Sequence, residues 1–164
     1  MGLDIHVAAL SDWVPAFVRV NNRMAGITRE PTAAEVGAHR GLLASNLLRV
    51  ENLELFVHHI SPGTSLRDAC DAESSTKTDR ADLRADLSII LTAARMRSAP
   101  PDRLYRLFRM VRPFTDANGR CGRALWMWQL MRGTRQDLAE IAELDLLDTR
   151  HPLNADAVAL SAMM

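Results

Sequence analysis

Apolar side chains recur along this chain at the spacing of α-helices, and this periodicity constrains the fold more than any other feature of the sequence. One stretch carries its apolar residues at i, i+4, i+7 and i+11: Trp13, Phe17, Val20 and Met24. The segment 120–132 is apolar almost all round, which is typical of a helix buried in the centre of a domain. The alternation of apolar and polar residues that marks β-strands is nearly absent. We therefore expect an all-α fold.

Capping and helix-breaking residues divide this pattern into separate helices. Thr32 and Glu35 have the spacing of a capping box at a helix start, and Pro101 suits the first turn of a helix. The polar stretch 61–78 is expected to be a long loop, and loops of this length are usually functional or mobile. The predicted helices occupy residues 12–24, 32–45, 50–60, 79 to the Pro100–Pro101 pair, from there to 111, 120–132, about 136–147 and 154–162.

Length and composition restrict the class of protein. A chain of 164 residues with 48% hydrophobic and 24% charged residues fits a single domain spanning 1–164. Lys+Arg and Asp+Glu both total 20, and a protein without a basic excess is a poor candidate for binding nucleic acid. The two cysteines, Cys70 and Cys121, indicate neither a zinc site nor a disulfide framework. With no signal peptide and no apolar run near the ~20 residues that span a bilayer, we expect a soluble cytoplasmic protein without a membrane partner.

The segment 112–123 contains the residues that point most clearly to chemistry. It is a polar, glycine-bearing loop that leads into the buried helix. Asn118 and Gly119 tolerate positive φ values, which would let successive backbone N–H groups point into one concavity that binds an anion. The positive end of the helix dipole favours phosphate at the same place.

Three charged side chains of this segment suit a nucleotide phosphate. Arg120 and Arg123 are three residues apart, so they share a helix face and could both reach phosphate oxygens. Asp116 precedes the turn and is a candidate ligand for Mg²⁺, which prefers one or two carboxylates together with substrate phosphates. The segment is neither a Walker A loop nor a calcium-binding loop, because it lacks the defining residues of both motifs. The alternative that stays open is an ordinary helix start with exposed arginines.

The same segment resembles the signature of the Fic/Doc (Fido) family, His-x-Phe-x-(Asp/Glu)-(Gly/Ala)-Asn-(Gly/Lys)-Arg-x-x-Arg. The similarity covers about residues 105–128, in a helix–loop–helix context. It implies a Fic-like helical bundle with a motif core at about 100–132, and transfer of the AMP part of ATP to a protein hydroxyl. Some relatives transfer a phosphate or another phosphate-containing group. The matching residues are Phe114, Asp116, Ala117, Asn118, Gly119, Arg120 and Arg123.

The resemblance also implies roles for individual residues. Asp116 would hold Mg²⁺, the Asn118–Gly119 turn would cradle the phosphates of ATP, and Arg120 and Arg123 would hold the distal phosphates. ATP and Mg²⁺ are therefore the expected cofactors.

Arg112 is the main departure from the family pattern, because the family's catalytic base is a histidine at this position. A guanidinium, whose pKa lies above ~12, cannot accept the proton of the target hydroxyl near neutral pH. Loss of a general base typically lowers the rate by about 10²–10⁴. We therefore expect impaired transfer, while Arg112 could still attract phosphate.

Two further family features are weak or altered in this sequence. Many members carry an inhibitory helix ending in Ser/Thr-x-x-x-Glu-(Gly/Asn); if residues 21–26 occupy that place, Ala25 replaces the glutamate and no carboxylate would pair with Arg123. Members also use a flap, usually a short hairpin, to dock the target. Its expected place is the 61–78 loop, which shows little hairpin patterning.

Two alternatives to an impaired transferase remain. One is a nucleotide-binding pseudoenzyme without catalysis, and the other is a small helical interaction protein of the toxin–antitoxin type. The expected partner is an unknown protein target or regulator, and a homo-oligomer is possible.

Overall fold

The computed structural model describes residues 4–67 and 80–132. The all-α prediction is confirmed, because these residues form helices and contain no strand. The predicted helices at 136–147 and 154–162, and most of the 61–78 loop, lie outside the described residues. The helices are α1 (Asp4–Arg23), α2 (Ala33–Ala44), α3 (Val50–Ile60), α4 (Arg80–Met96), α5 (Pro101–Val111) and α6 (Asn118–Met131).

Helices α2 and α5 begin at the residues that the sequence predicted from their capping signals. In α2 the Glu35 N–H donates to Thr32 Oγ1 at 3.2 Å and the Thr32 N–H donates to Glu35 Oε2 at 2.8 Å, which is the predicted capping box. Helix α5 begins at Pro101, as predicted. Helix α1 begins earlier than expected, because its apolar stripe signals a helix only from Trp13 onward.

Helix α6 lies at the centre of the fold and packs against α1, α2, α3 and α5. Every residue from Arg120 to Gln129 is buried, which confirms the prediction of a helix enclosed on all sides. Gly122 permits the close contact with α5: a Cβ there would lie 3.1 Å from atoms of both Phe108 and Tyr105. The N-terminal end of this buried helix is therefore fixed firmly relative to its neighbours.

Side-chain hydrogen bonds secure the far end of α6. Trp128 Nε1 donates to the Ser45 carbonyl at 2.8 Å, and Trp126 Nε1 donates to Asp102 Oδ1 at 2.7 Å. Both indole N–H groups are thus satisfied where the rings are buried. No helix in the described ranges is long and apolar enough to cross a membrane.

Candidate functional site

The loop between α5 and α6 begins and ends on a residue in the left-handed region. Arg112 has φ 45° and ψ 61°, and Ala117 has φ 59° and ψ 13°. The prediction of positive φ at Asn118 and Gly119 is wrong, since both residues belong to the first turn of α6. From its helical position Asn118 reaches back along the chain, where Oδ1 accepts from the Phe114 N–H at 2.9 Å and Nδ2 donates to the Phe114 carbonyl at 2.7 Å. Asn118 therefore fixes the loop.

The loop is also held from the segment that follows α3. The Arg67 N–H donates to the Pro113 carbonyl at 2.9 Å, and Leu66 forms an isolated antiparallel bridge with Phe114. The Arg67 guanidinium donates to the carbonyls of Val111, at 2.7 Å, and of Arg112. Of the expected flap hairpin, the described residues show only this bridge. The remainder, from residue 68, lies outside them.

Asp116 lies in the loop just before α6, is exposed to solvent and is ionised at neutral pH. The backbone N–H of Ala117, the hydroxyl of Ser61 and the nearby charge of Arg120 all lower the pKa of Asp116. The Ser61 Oγ donates to Asp116 Oδ2 at 2.8 Å. The described residues include no cluster of three groups that could hold a metal ion. Asp116 therefore fits Mg²⁺ only as the single protein carboxylate beside phosphate oxygens and water, an arrangement that Mg²⁺ accepts.

Arg120 and Arg123 are each only 4% exposed, so the alternative of a helix start with exposed arginines is excluded. Arg120 Nη1 donates to the Ile60 carbonyl at 2.8 Å and lies 3.6 Å from Glu35 Oε1. Arg123 Nε donates to Asn21 Oδ1 at 2.6 Å, and its Nη2 donates to the Asn21 carbonyl at 3.0 Å. Both guanidinium groups are thus oriented by neighbouring helices.

A buried polar network lies behind these arginines, and sequence reasoning missed it. Asn21 Nδ2 donates to the Arg120 carbonyl at 3.1 Å and lies 3.2 Å from His39 Nε2. His39 Nδ1 donates to the Glu35 carbonyl at 2.8 Å. Burial lowers the pKa of His39 to about 4, so the ring is neutral and Nε2 accepts from Asn21. The network connects α1, α2 and α6.

Glu35 supplies the negative charge of the network and is only 2% exposed. Burial by itself would raise the pKa of its carboxyl, but hydrogen bonds from Arg29 and Thr32 prevail and lower the pKa to about 2. Arg29 Nη1 lies 2.8 Å from Glu35 Oε2. The carboxylates of Asp116 and Glu35 therefore both offset the buried charge of Arg120. The sequence identified Glu35 only as part of a capping box.

Arg120 and Arg123 line a cleft of about 500 Å³ between the end of α1, the end of α5 and the start of α6, here named the arginine cleft. Arg109, which the sequence did not single out, also contributes to it. Ala25 lies in its wall, just beyond the end of α1, whereas Arg123 donates hydrogen bonds to Asn21 within α1. The structure brings together all six residues proposed for the site: Arg112, Asp116, Asn118, Gly119, Arg120 and Arg123.

Comparison of the chain with protein-family models, with curated proteins and with solved structures finds no match. The likeness to the Fic/Doc signature consequently rests on residues 112–123 themselves. The function is argued below from the chemistry of the arginine cleft.

Proposed function

We propose that this chain is a Fic-type domain that binds ATP with Mg²⁺ in the arginine cleft and transfers AMP to protein hydroxyls slowly or not at all. One observation carries the proposal. Two buried, oriented arginines and an ionised aspartate meet at the N-terminal end of a central helix, around a space of about 500 Å³. That volume is in the range of small-molecule and cofactor sites.

The first turn of α6 supports phosphate binding. The leading N–H groups of a helix have no partner within the helix, and they carry the positive end of its dipole. Ala117, the N-cap residue, has no side chain that could accept from them. An anionic ligand is therefore well suited to satisfy these donors.

The side chains add charge to the same place. Within the described part of the chain Arg120 donates only through Nη1, so Nε and Nη2 are left for ligand oxygens. Arg123 lies one turn further along α6, beside Gly119. Asp116 would hold Mg²⁺, which reduces the negative charge of the phosphates when bound.

Arg112 is the reason for proposing impaired transfer. In the transfer reaction the target hydroxyl oxygen would bond to the α-phosphorus of ATP, the bond to the bridging oxygen would break, and pyrophosphate would leave. The hydroxyl proton must pass to a base, and a guanidinium remains protonated. Arg112 lines the cleft at the position of the family's base, so the group best placed to accept the proton is unable to do so.

Isothermal titration of the full chain with ATP, with and without Mg²⁺, tests the binding proposal. We expect binding that strengthens with Mg²⁺, and we expect Asp116→Asn to remove that gain. Asp86→Asn, which changes an exposed carboxylate on α4, is the matched control and should leave the gain intact. Absence of heat at millimolar ATP in both conditions would overturn the proposal.

The Arg112→His variant tests the catalytic part. Histidine is one of the residues enriched in left-handed backbone conformations, so the substitution suits the φ of 45° at this position. We expect transfer of label from α-labelled ATP to protein in a lysate to rise by about 10²–10⁴. Arg106→His, on an exposed position of α5, should not raise it. Intact ATP binding without any gain in the Arg112→His variant would contradict this part of the proposal.

A further inference from the structure

We propose that Ser61, at the end of α3, is a positioning residue of the metal site: its hydroxyl keeps the Asp116 carboxylate available to Mg²⁺ and apart from Arg120. This inference rests on the proposed function, because it assumes that Asp116 holds Mg²⁺ beside the phosphates of ATP. It adds to the site a residue that lies far from the segment 112–123 in the sequence.

The end of α3 contacts both of the charged side chains that would meet a phosphate and its metal ion. The Ser61 hydroxyl donates to Asp116 Oδ2 at 2.8 Å. The carbonyl of the preceding residue, Ile60, accepts from Arg120 Nη1, also at 2.8 Å. Two adjacent residues of one helix end therefore hold the carboxylate and the guanidinium separately and fix them relative to each other.

Ser61 is itself held by the backbone around it. Its N–H donates to the Val57 carbonyl at 2.9 Å, in the last turn of α3, and its carbonyl accepts from the Thr64 N–H at 3.1 Å. Ile60 is buried, and Ser61 is half-buried. The hydroxyl is thus presented from a fixed position, whereas Asp116 lies exposed in the loop before α6.

The hydrogen bond matters because an opposite charge lies near Asp116. The charge of Asp116 acts on Arg120, yet no ion pair joins the two side chains among the residues that the structure describes. A direct pair would occupy the carboxylate oxygens that Mg²⁺ needs and the N–H groups that phosphate needs. By holding Asp116 in its present orientation, Ser61 opposes that pairing.

The bond from Ser61 does not exhaust the carboxylate. An ionised carboxylate offers about four lone-pair sites, so room for a metal ion remains beside the hydrogen bonds from Ser61 and the Ala117 N–H. Groups that hydrogen-bond to a metal ligand orient it, and their removal typically lowers metal affinity by about 10–100-fold. Ser61 has the geometry of such a group.

Ser65 offers a matched control in the same segment. It is exposed, and its described hydrogen bonds use only its backbone: its N–H donates to Thr115 Oγ1 at 3.2 Å, and its carbonyl accepts from the Thr115 N–H at 2.9 Å. Ser65→Ala therefore removes a hydroxyl close to the site but keeps these contacts.

Calorimetric titration of the full chain with ATP, without and with saturating Mg²⁺, tests the role of Ser61. The quantity compared is the gain, defined as the ratio of the two dissociation constants. We expect Ser61→Ala to lower the gain by about tenfold or to abolish it. Ser61→Thr, which keeps the hydroxyl, should restore the gain, and Ser65→Ala should show the gain of the unmodified chain.

The outcomes separate this inference from the proposed function. A gain that persists or increases in Ser61→Ala would overturn the role of Ser61 while the proposed function stands. An equal loss of the gain in Ser61→Ala and Ser65→Ala would also overturn it, because the effect would then belong to the whole segment. ATP binding that Mg²⁺ does not strengthen in the unmodified chain, or no binding at all, would overturn both proposals. Circular dichroism verifies that each variant is folded.

Discussion

Two openings of nearly equal volume differ in how the chain builds them. The arginine cleft measures about 500 Å³, and an apolar groove between α2 and α3 measures about 490 Å³. The groove is lined by small and apolar residues with a few polar ones, among them Ala34, Gly37, Gly41, Leu55 and His59. Because the volumes match, size does not distinguish a candidate ligand site; the chemistry of the walls does.

The groove arises simply because small residues leave space on one face of α2. A Cβ added at Gly37 or Gly41 would meet no atom within 4 Å. The arginine cleft, in contrast, requires charge to be buried, which is unfavourable unless every charged group has partners. Asn21 of α1 and Glu35 of α2 provide those partners, and His39 of α2 in turn accepts a hydrogen bond from Asn21. The apolar groove needs no such partners, and this difference is the reason why we propose the arginine cleft as the ligand site.

Glu35→Gln should have the largest effect on stability. The substitution removes the buried carboxylate that pairs with Arg120, and loss of one partner from a buried pair typically lowers the free energy of unfolding by about 3–5 kcal/mol. Urea denaturation measures the change. Glu30→Gln is the control, because the Arg19–Glu30 pair is exposed to solvent and should contribute little to stability. A loss below about 1 kcal/mol for Glu35→Gln would contradict the proposed charge balance.

Acidification should produce the next largest effect, through His39. Its pKa is about 4 in the folded chain and 6.5 ordinarily, so between these values the unfolded state binds the additional proton. Stability therefore falls as the pH drops below about 6.5, by roughly 2 kcal/mol between pH 7 and pH 5.

Urea denaturation at several pH values measures this dependence. In His39→Gln the slope between pH 7 and pH 5 should flatten, even where overall stability is lower. The exposed residues His58 and His59 provide the control, since replacing both with glutamine should leave the slope unchanged. A slope that persists in His39→Gln would exclude His39 as its source.

Glycine substitutions should have the smallest effect on stability. We expect the free energy of unfolding to rise for a glycine in the apolar groove and to fall for a glycine in the helix that bears the arginine cleft. Gly41→Ala adds a methyl group to open space within α2, so the higher helix propensity of alanine should raise the free energy of unfolding by about 0.5–1 kcal/mol. Gly122→Ala should lower it, because the new Cβ would lie 3.1 Å from Phe108 Cδ1. Thermal unfolding measures both changes. Destabilisation by Gly41→Ala would show that the groove is not open.

The sequence predicted the parts of the site that depend on neighbouring residues. All six residues that the sequence proposed for the site line the cleft, and the capping box at Thr32 correctly marked the start of α2. The positive φ was predicted from Asn118 onward, but Ala117 is the residue that adopts the left-handed conformation. Asn118 is instead helical, and its side chain hydrogen-bonds to the backbone of Phe114.

The partners of the arginines could not be predicted in the same way. Asn21 and Arg123 are separated by 102 positions and meet only because α1 packs against α6. His39 lies in α2 and has no local signal that distinguishes it from an ordinary core residue. The only sequence signal for this network is a polar residue, Asn21 or His39, among the apolar residues of a helix. Such a signal does not say which partner each side chain meets, because the pairing depends on how the helices pack.

Backbone amide NMR during an ATP titration tests the central claim most directly, because it locates binding in one opening or the other. We expect the amide resonances of Gly119 and Arg120 to shift progressively and saturate, while those of Gly37 and Gly41 in the apolar groove stay in place. Shifts confined to Gly37 and Gly41, or no shifts at millimolar ATP, would contradict a nucleotide site at the start of α6.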